Sequence, residues 1–128
     1  MDIKKNLKKI NQIGIALSSE KNLTKLLEMI VDESMNITNA DGGTLYLMSN
    51  DKKKLEYEII KNITLKLNLI AGNNPENIFE PVNLYDHKTG KPNNHNVSSF
   101  CALNGETVNI KDVYIEKGFD FSGPKNVD

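Results

Sequence analysis

Residues 22–60 read NLTKLLEMIVDESMNITNADGGTLYLMSNDKKKLEYEII, and this stretch decides the fold. Its first half places Leu23, Leu26, Leu27, Ile30, Val31 and Met35 at three- and four-residue steps. That spacing puts them on one broad face of a helix running to about Asn39. Asn22 stands where an N-cap belongs, since its side chain can accept a bond from a first-turn amide. The run Asn39-Ala40-Asp41-Gly42-Gly43 ends the helix, because Asn and Gly tolerate the left-handed backbone of a helix stop. Gly42 and Gly43 follow the helix rather than open one, so a stop and tight turn is preferred to a phosphate cradle. Residues 44–48 then read as a buried strand and 49–52 as a polar turn. Residues 55–60 form a second strand, with Leu55, Tyr57 and Ile59 on one side and Glu56 and Glu58 on the other, so half of it is exposed. A helix followed by a hairpin is the nucleus of the fold.

On the N-terminal side, Ile3, Leu7, Ile10 and Leu17, with Gly14 between them, follow a 4-3-4-3 spacing. This is a short helical stripe at heptad period. Gly14 weakens it by about 1 kcal/mol relative to Ala. On the C-terminal side, Leu65, Leu67 and Leu69 alternate with polar residues and predict a strand, and residues 72–75 break the chain. Residues 81–85 predict a short edge strand, where Pro81 is tolerated. Residues 86–92 are loop. Asn93 or Asn94 is expected to cap a short helix that carries His95, Val97, Phe100, Cys101 and Ala102 and stops at Asn104-Gly105. Residues 107–110 predict a last strand. Helices grouped at one end of an antiparallel sheet give an α+β fold, with the N-terminal helix pair on one face and the short helix and its loop on the other.

The chain has 128 residues, 38% apolar and 26% charged, with net charge −1. This is one domain with one core. A charge so near zero argues against a nucleic-acid partner. The polar N-terminus is unlike a signal peptide, and no apolar run approaches the roughly 18 residues of a membrane span. The single Cys101 cannot form an internal disulfide, so a reducing, cytoplasmic setting is expected.

The residues give little chemistry to an enzyme. His95 and Cys101, six positions apart on one helix, point roughly 120° from each other and cannot act as base and nucleophile. Cys101 beside Phe100 reads as a small core residue. His87 reads as a solvated loop residue. Two His, one Cys and scattered turn aspartates, Asp41, Asp86, Asp112 and Asp120, make no metal-ligand pattern, so no metal and no cofactor are expected. Lys4, Lys5, Lys8 and Lys9 could mark a membrane-surface or nucleic-acid helix. With no aromatic anchor nearby, they read instead as the solvated face of a helix that packs through Ile3, Leu7 and Ile10, and no membrane partner is expected.

Three stretches in order carry a resemblance: NADGGTLYL, GKPNNHNV, and LNGETVNIKDVY followed by GFDFSG. Together with NQIGIALSSEKNLTKLLEMIVDES they resemble a bacterial GAF domain, of the kind that precedes HD-GYP-type phosphodiesterase or other signalling domains. The resemblance covers nearly the whole chain. It implies one domain over 1–128, with a helix pair at 1–39 and a sheet with its ligand-side segment at 43–128. In that family the segment after FDFSG leads into two further strands and a final helix. The resemblance therefore implies a domain incomplete at its C-terminus, with residues 44–48 left open on one side of the sheet.

The resemblance also implies a non-catalytic sensory module. It would bind a small molecule, such as a cyclic nucleotide, and signal to an attached output domain. An apolar face of Leu45, Leu47 and Phe100, with polar groups from Asn96, Ser99 and Asp112, would suit a small ring with hydrogen-bonding edges. The bland alternative makes these core and capping residues. Tyr85, His95, Asn96 and Asp112 fall in the ligand-side segment by resemblance. The rival function is a protein-interaction module without ligand. It would form a homodimer through Ile3, Leu7, Ile10 and Leu17, or through the open sheet edge.

Overall fold

The computed structural model describes residues 2–71, 79–115 and 118–119. Its elements are α1 (Ile3–Ser19), α2 (Leu23–Thr38), β1 (Gly42–Met48), β2 (Lys54–Asn62), β3 (Leu67–Ile70), β4 (Val82–Asn83) and α3 (Val97–Asn104). This is the α+β class. The break at 72–75 and the segment from 120 onward lie outside the described residues.

Local rules explain the ends of α2. The Asn22 side chain accepts a bond from the Lys25 amide at 3.0 Å. Asn39 adopts φ 54° and closes the helix, while the Ala40 amide reaches back to the Met35 carbonyl at 3.0 Å. Asn39 alone supplies the left-handed stop. Gly42 and Gly43 are the first residues of β1 instead. Gly43 lies under α2, where an added Cβ would sit 3.1 Å from both Val31 Cγ1 and Met35 Cγ. The glycine serves close helix–sheet approach, not a turn.

The sheet is antiparallel. β1 runs along one edge of β2, and β3 and β4 follow one another along its other edge. The β1–β2 turn is held by Asp51, whose carboxylate accepts from the Ser49 hydroxyl at 2.6 Å and the Lys53 amide at 3.0 Å. The serine bond first, and the lysine amide next, hold that carboxyl below the usual carboxylate range.

One irregularity reorganises β2. Leu45 pairs with Ile59, but its neighbour Tyr46 pairs with Tyr57, so Glu58 is an extra residue in the ladder. Adjacent β1 residues face opposite sides, so Ile59 and Tyr57 do too. The expected single face of Leu55, Tyr57 and Ile59 is thereby split. Ile59 joins Gly43, Leu45 and Lys61 on the side covered by α2. Tyr57 meets Tyr46 in a tilted ring contact on the other side, their ring centroids 4.7 Å apart. Both faces are used: Ile59 and Ile60 are 0% and 2% exposed, and Val31, Leu55 and Leu84 complete the described core.

Three further expectations change. β3 begins at Leu67, because residues 63–66 form a turn in which Asp41 accepts from the Thr64 amide and hydroxyl. The residue at the N-cap of α3 is Asn96, so His95 lies outside the helix. Asn93 is occupied elsewhere, its amide donating to the Asn83 carbonyl at 2.8 Å and to Asn96 Oδ1 at 2.9 Å. Residues 107–110 form no strand. Val108 and Ile110 are half-buried without a backbone ladder to any described strand, so the alternation reflects burial alone. The helix stop at Gly105, with φ 63°, is as expected.

Candidate functional site

Helix α1 has a side chain cap, with Asp2 accepting from the Lys5 amide at 3.1 Å, yet it buries no residue. Its half-buried positions are Asn6, Ile13 and Leu17, and the element it touches is α2. The predicted stripe is therefore divided. Leu17 turns inward with Ile13, whereas Ile3, Leu7 and Ile10 are 71%, 61% and 53% exposed. Ile3, Leu7 and Ile10, expected to be the packing residues of α1, are thus not covered by the described residues of their own chain.

Helix α2 shows a second line. Val31 and Met35 face the sheet, but Leu23, Ile30 and Ile37, each seven residues from the next, are exposed. Seven residues is close to two helical turns, so the three lie along one side. Two helices in contact thus present seven large aliphatic side chains to solvent, these six and Ile15. The lysines of α1 stand on the far side of its stripe at 100° per residue. All four lie between positions 4 and 9, and α1 contains no acidic residue. Its last turn has no basic residue.

An open groove of mixed lining, with Met35 and Leu67 among its apolar residues, lies on the other flank of α2. It has a volume of 720 Å³ and is lined by residues that include Asp32, Asn36, Asn39, Lys61, Lys66 and Asn68. Lys61 rises from β2 to meet two carboxylates of α2, Asp32 Oδ1 at 2.6 Å and Glu28 Oε2 at 3.3 Å. Its side chain is only 14% exposed. The pair ties α2 to the sheet as well as forming one wall of the groove.

The residues singled out as a ligand pocket lie outside this groove and are distributed over β1, α3 and two turns. Leu45 and Leu47 are on the α2 side of β1. Asn96, Ser99 and Phe100 belong to α3 and its entry, beside β4. Ser99 is fully buried and its hydroxyl donates to the Asn96 carbonyl at 3.1 Å. The Phe100 ring meets Phe119 edge-on at 5.5 Å. Tyr85 bridges to Pro92 and is exposed. Asp112 organises a turn by accepting from the Tyr114 amide at 2.9 Å. His87 and His95 are exposed, and Cys101 is half-buried. Next to Tyr85, the Asp86 carboxylate accepts from the Thr89 and Lys88 amides, which hold it below the usual carboxylate range.

Among the described residues no three His, Cys, Asp or Glu side chains converge on a metal-sized site. No described helix is long and apolar enough to cross a membrane. No protein-family model, curated protein or solved structure matches this chain.

Sequence reasoning missed three participants. Ile13 falls outside the heptad stripe, although it is the apolar residue between Asn6 and Leu17 on the inward side. The 23–30–37 spacing is visible in the sequence but merges there with the core face of α2. Lys61 carries a usable signal, since Glu28 and Asp32 form an i,i+4 carboxylate pair that calls for a cation nearby.

Proposed function

We propose that this chain is a non-catalytic regulatory module that works by joining a second copy of itself through the α1–α2 face. The observation that carries this is the exposure of Ile3, Leu7 and Ile10 on a helix that buries nothing of its own. Fully burying one such side chain contributes about 1.5–3 kcal/mol. The six on each copy are 36–71% exposed, so each has roughly half of that left to gain, and together they can offset an association cost of roughly 4–15 kcal/mol. The resemblance to GAF modules supports a regulatory role, in which the association state is passed to an attached output domain.

The test is sedimentation equilibrium across a concentration series. The chain is expected to dimerise, and Leu7→Asp or Ile10→Asp is expected to weaken the dimer by about 30- to 700-fold, since a seam hot spot is worth about 2–4 kcal/mol. A chain that stays monomeric at millimolar concentration removes the proposal.

A second reading has the module sense a small molecule, and the groove beside α2 favours it. Its size falls within the roughly 300–1,000 Å³ of small-molecule sites, and its amides and opposed charges suit a polar ligand. Titration with cyclic AMP and cyclic GMP is expected to shift the NMR amide signals of Asn36, Asn62 and Asn68. Unmoved signals at millimolar nucleotide would eliminate both as ligands of this groove.

A further inference from the structure

We infer that the two copies join with their α1 helices antiparallel. This rests on the self-association proposed above and adds its geometry. Three features of α1 lead to it.

The first is charge. Lys4, Lys5, Lys8 and Lys9 crowd the first half of the helix, and no acidic residue of α1 offsets them. A parallel pair would gather eight lysines at one end. An antiparallel pair centred near Ile10 moves the centres of the two groups about 10 Å apart along the axis and carries Lys4 and Lys5 furthest from their counterparts, beyond the Debye length of about 8 Å at physiological salt.

The second is the helix dipole. Cations are unfavourable at a helix N-terminus and favourable at a C-terminus. Helix α1 has no acidic residue in its first turn and no basic residue in its last. The Asp2 carboxylate at the N-cap compensates the first end, whereas the last turn has no cation of its own. Antiparallel pairing brings Lys4 and Lys5 of one copy beside the last turn of the other, where the carbonyls end without a cation.

The third is shape. Gly14 lies in the apolar stripe, and a Cβ added there would meet nothing within 4 Å. In a parallel pair Gly14 faces its own mate and Leu7 faces Leu7, leaving a void beside a crowded layer. In an antiparallel pair each Gly14 faces a large aliphatic residue from the Ile3–Leu7–Ile10 line. Large-against-small alternation is how facing helices interdigitate.

Cross-linking distinguishes the arrangements. Lys4→Cys and Ser18→Cys are made separately in a Cys101→Ser background, and treated with a short bis-maleimide alone and mixed. Both positions are exposed. The mixture is expected to give the covalent heterodimer, while neither variant alone does so appreciably. Efficient self-linking of each variant alone would overturn the antiparallel arrangement and leave self-association standing. The unmodified chain provides a second readout. Its dimer constant is expected to change less than about 3-fold between low and high salt, whereas a parallel pair would tighten more than about 10-fold as its lysines are screened. A monomer at every concentration overturns both the orientation and the self-association. Co-sedimentation of that monomer with phosphatidylserine vesicles would then assign the face to an anionic lipid surface.

Discussion

Ile59→Ala is expected to lower the unfolding free energy by about 3 kcal/mol, within the roughly 2–5 kcal/mol range for truncating a buried aliphatic residue. Ile59 is fully buried. It pairs with Leu45 on one side and Ile70 on the other, at the centre of the sheet. It also lies on the α2 side, so its removal opens a space between helix and sheet that neither backbone can close. Leu47→Ala is the control, because Leu47 shares that side of β1 yet is 40% exposed. Its cost is expected at about 1–1.5 kcal/mol, about half that of Ile59→Ala, since burial scales the transfer term and an open site leaves no cavity. Urea melts followed by circular dichroism give both values, with unchanged slopes. Equal effects at the two positions would show that the bulge does not turn Ile59 inward.

Lys61→Glu is expected to cost about 3 kcal/mol, and Lys61→Met about half of that. The lysine joins Asp32 and Glu28 across 29 and 33 residues of sequence, and its own side chain is 14% exposed. Breaking a buried pair costs about 3–5 kcal/mol by leaving the partners uncompensated. Asp32 and Glu28 are 47% and 32% exposed, so water screens them and the cost of Lys61→Met falls below that range. The methionine also keeps the apolar stem. Glutamate adds a third carboxylate to the i,i+4 pair, which repels it. Adding Asp32→Lys to Lys61→Glu is expected to restore at least 1 kcal/mol, about the coupling seen between touching residues. If Lys61→Glu is as stable as the native chain, the ion pairs do not hold α2 to the sheet.

What the residues reveal in advance depends on how far along the chain the cause lies. Asn22 caps α2 through an amide three positions away. Asn39 and Gly105 stop their helices by their own backbone conformation. The β1–β2 turn is closed by Ser49, Asp51 and Lys53, which are near neighbours. These bonds span a few residues, so composition and spacing alone set them, and with them the order of elements and the α+β class.

The rest was decided by contacts between residues distant in sequence. The Glu58 bulge exists only in the pairing of β2 with β1, and it places Ile59 and Tyr57 on opposite faces despite their even spacing. Gly43 is required by Val31 and Met35 above it, not by a turn. Residues 107–110 alternate like a strand but gain no ladder. The heptad stripe of α1 is legible as a stripe, yet whether it packs inside the chain or faces out depends on how α1 sits on α2. Periodicity fixes which side chains share a face of a regular helix or strand, whereas tertiary pairing decides where that period breaks and what each face meets.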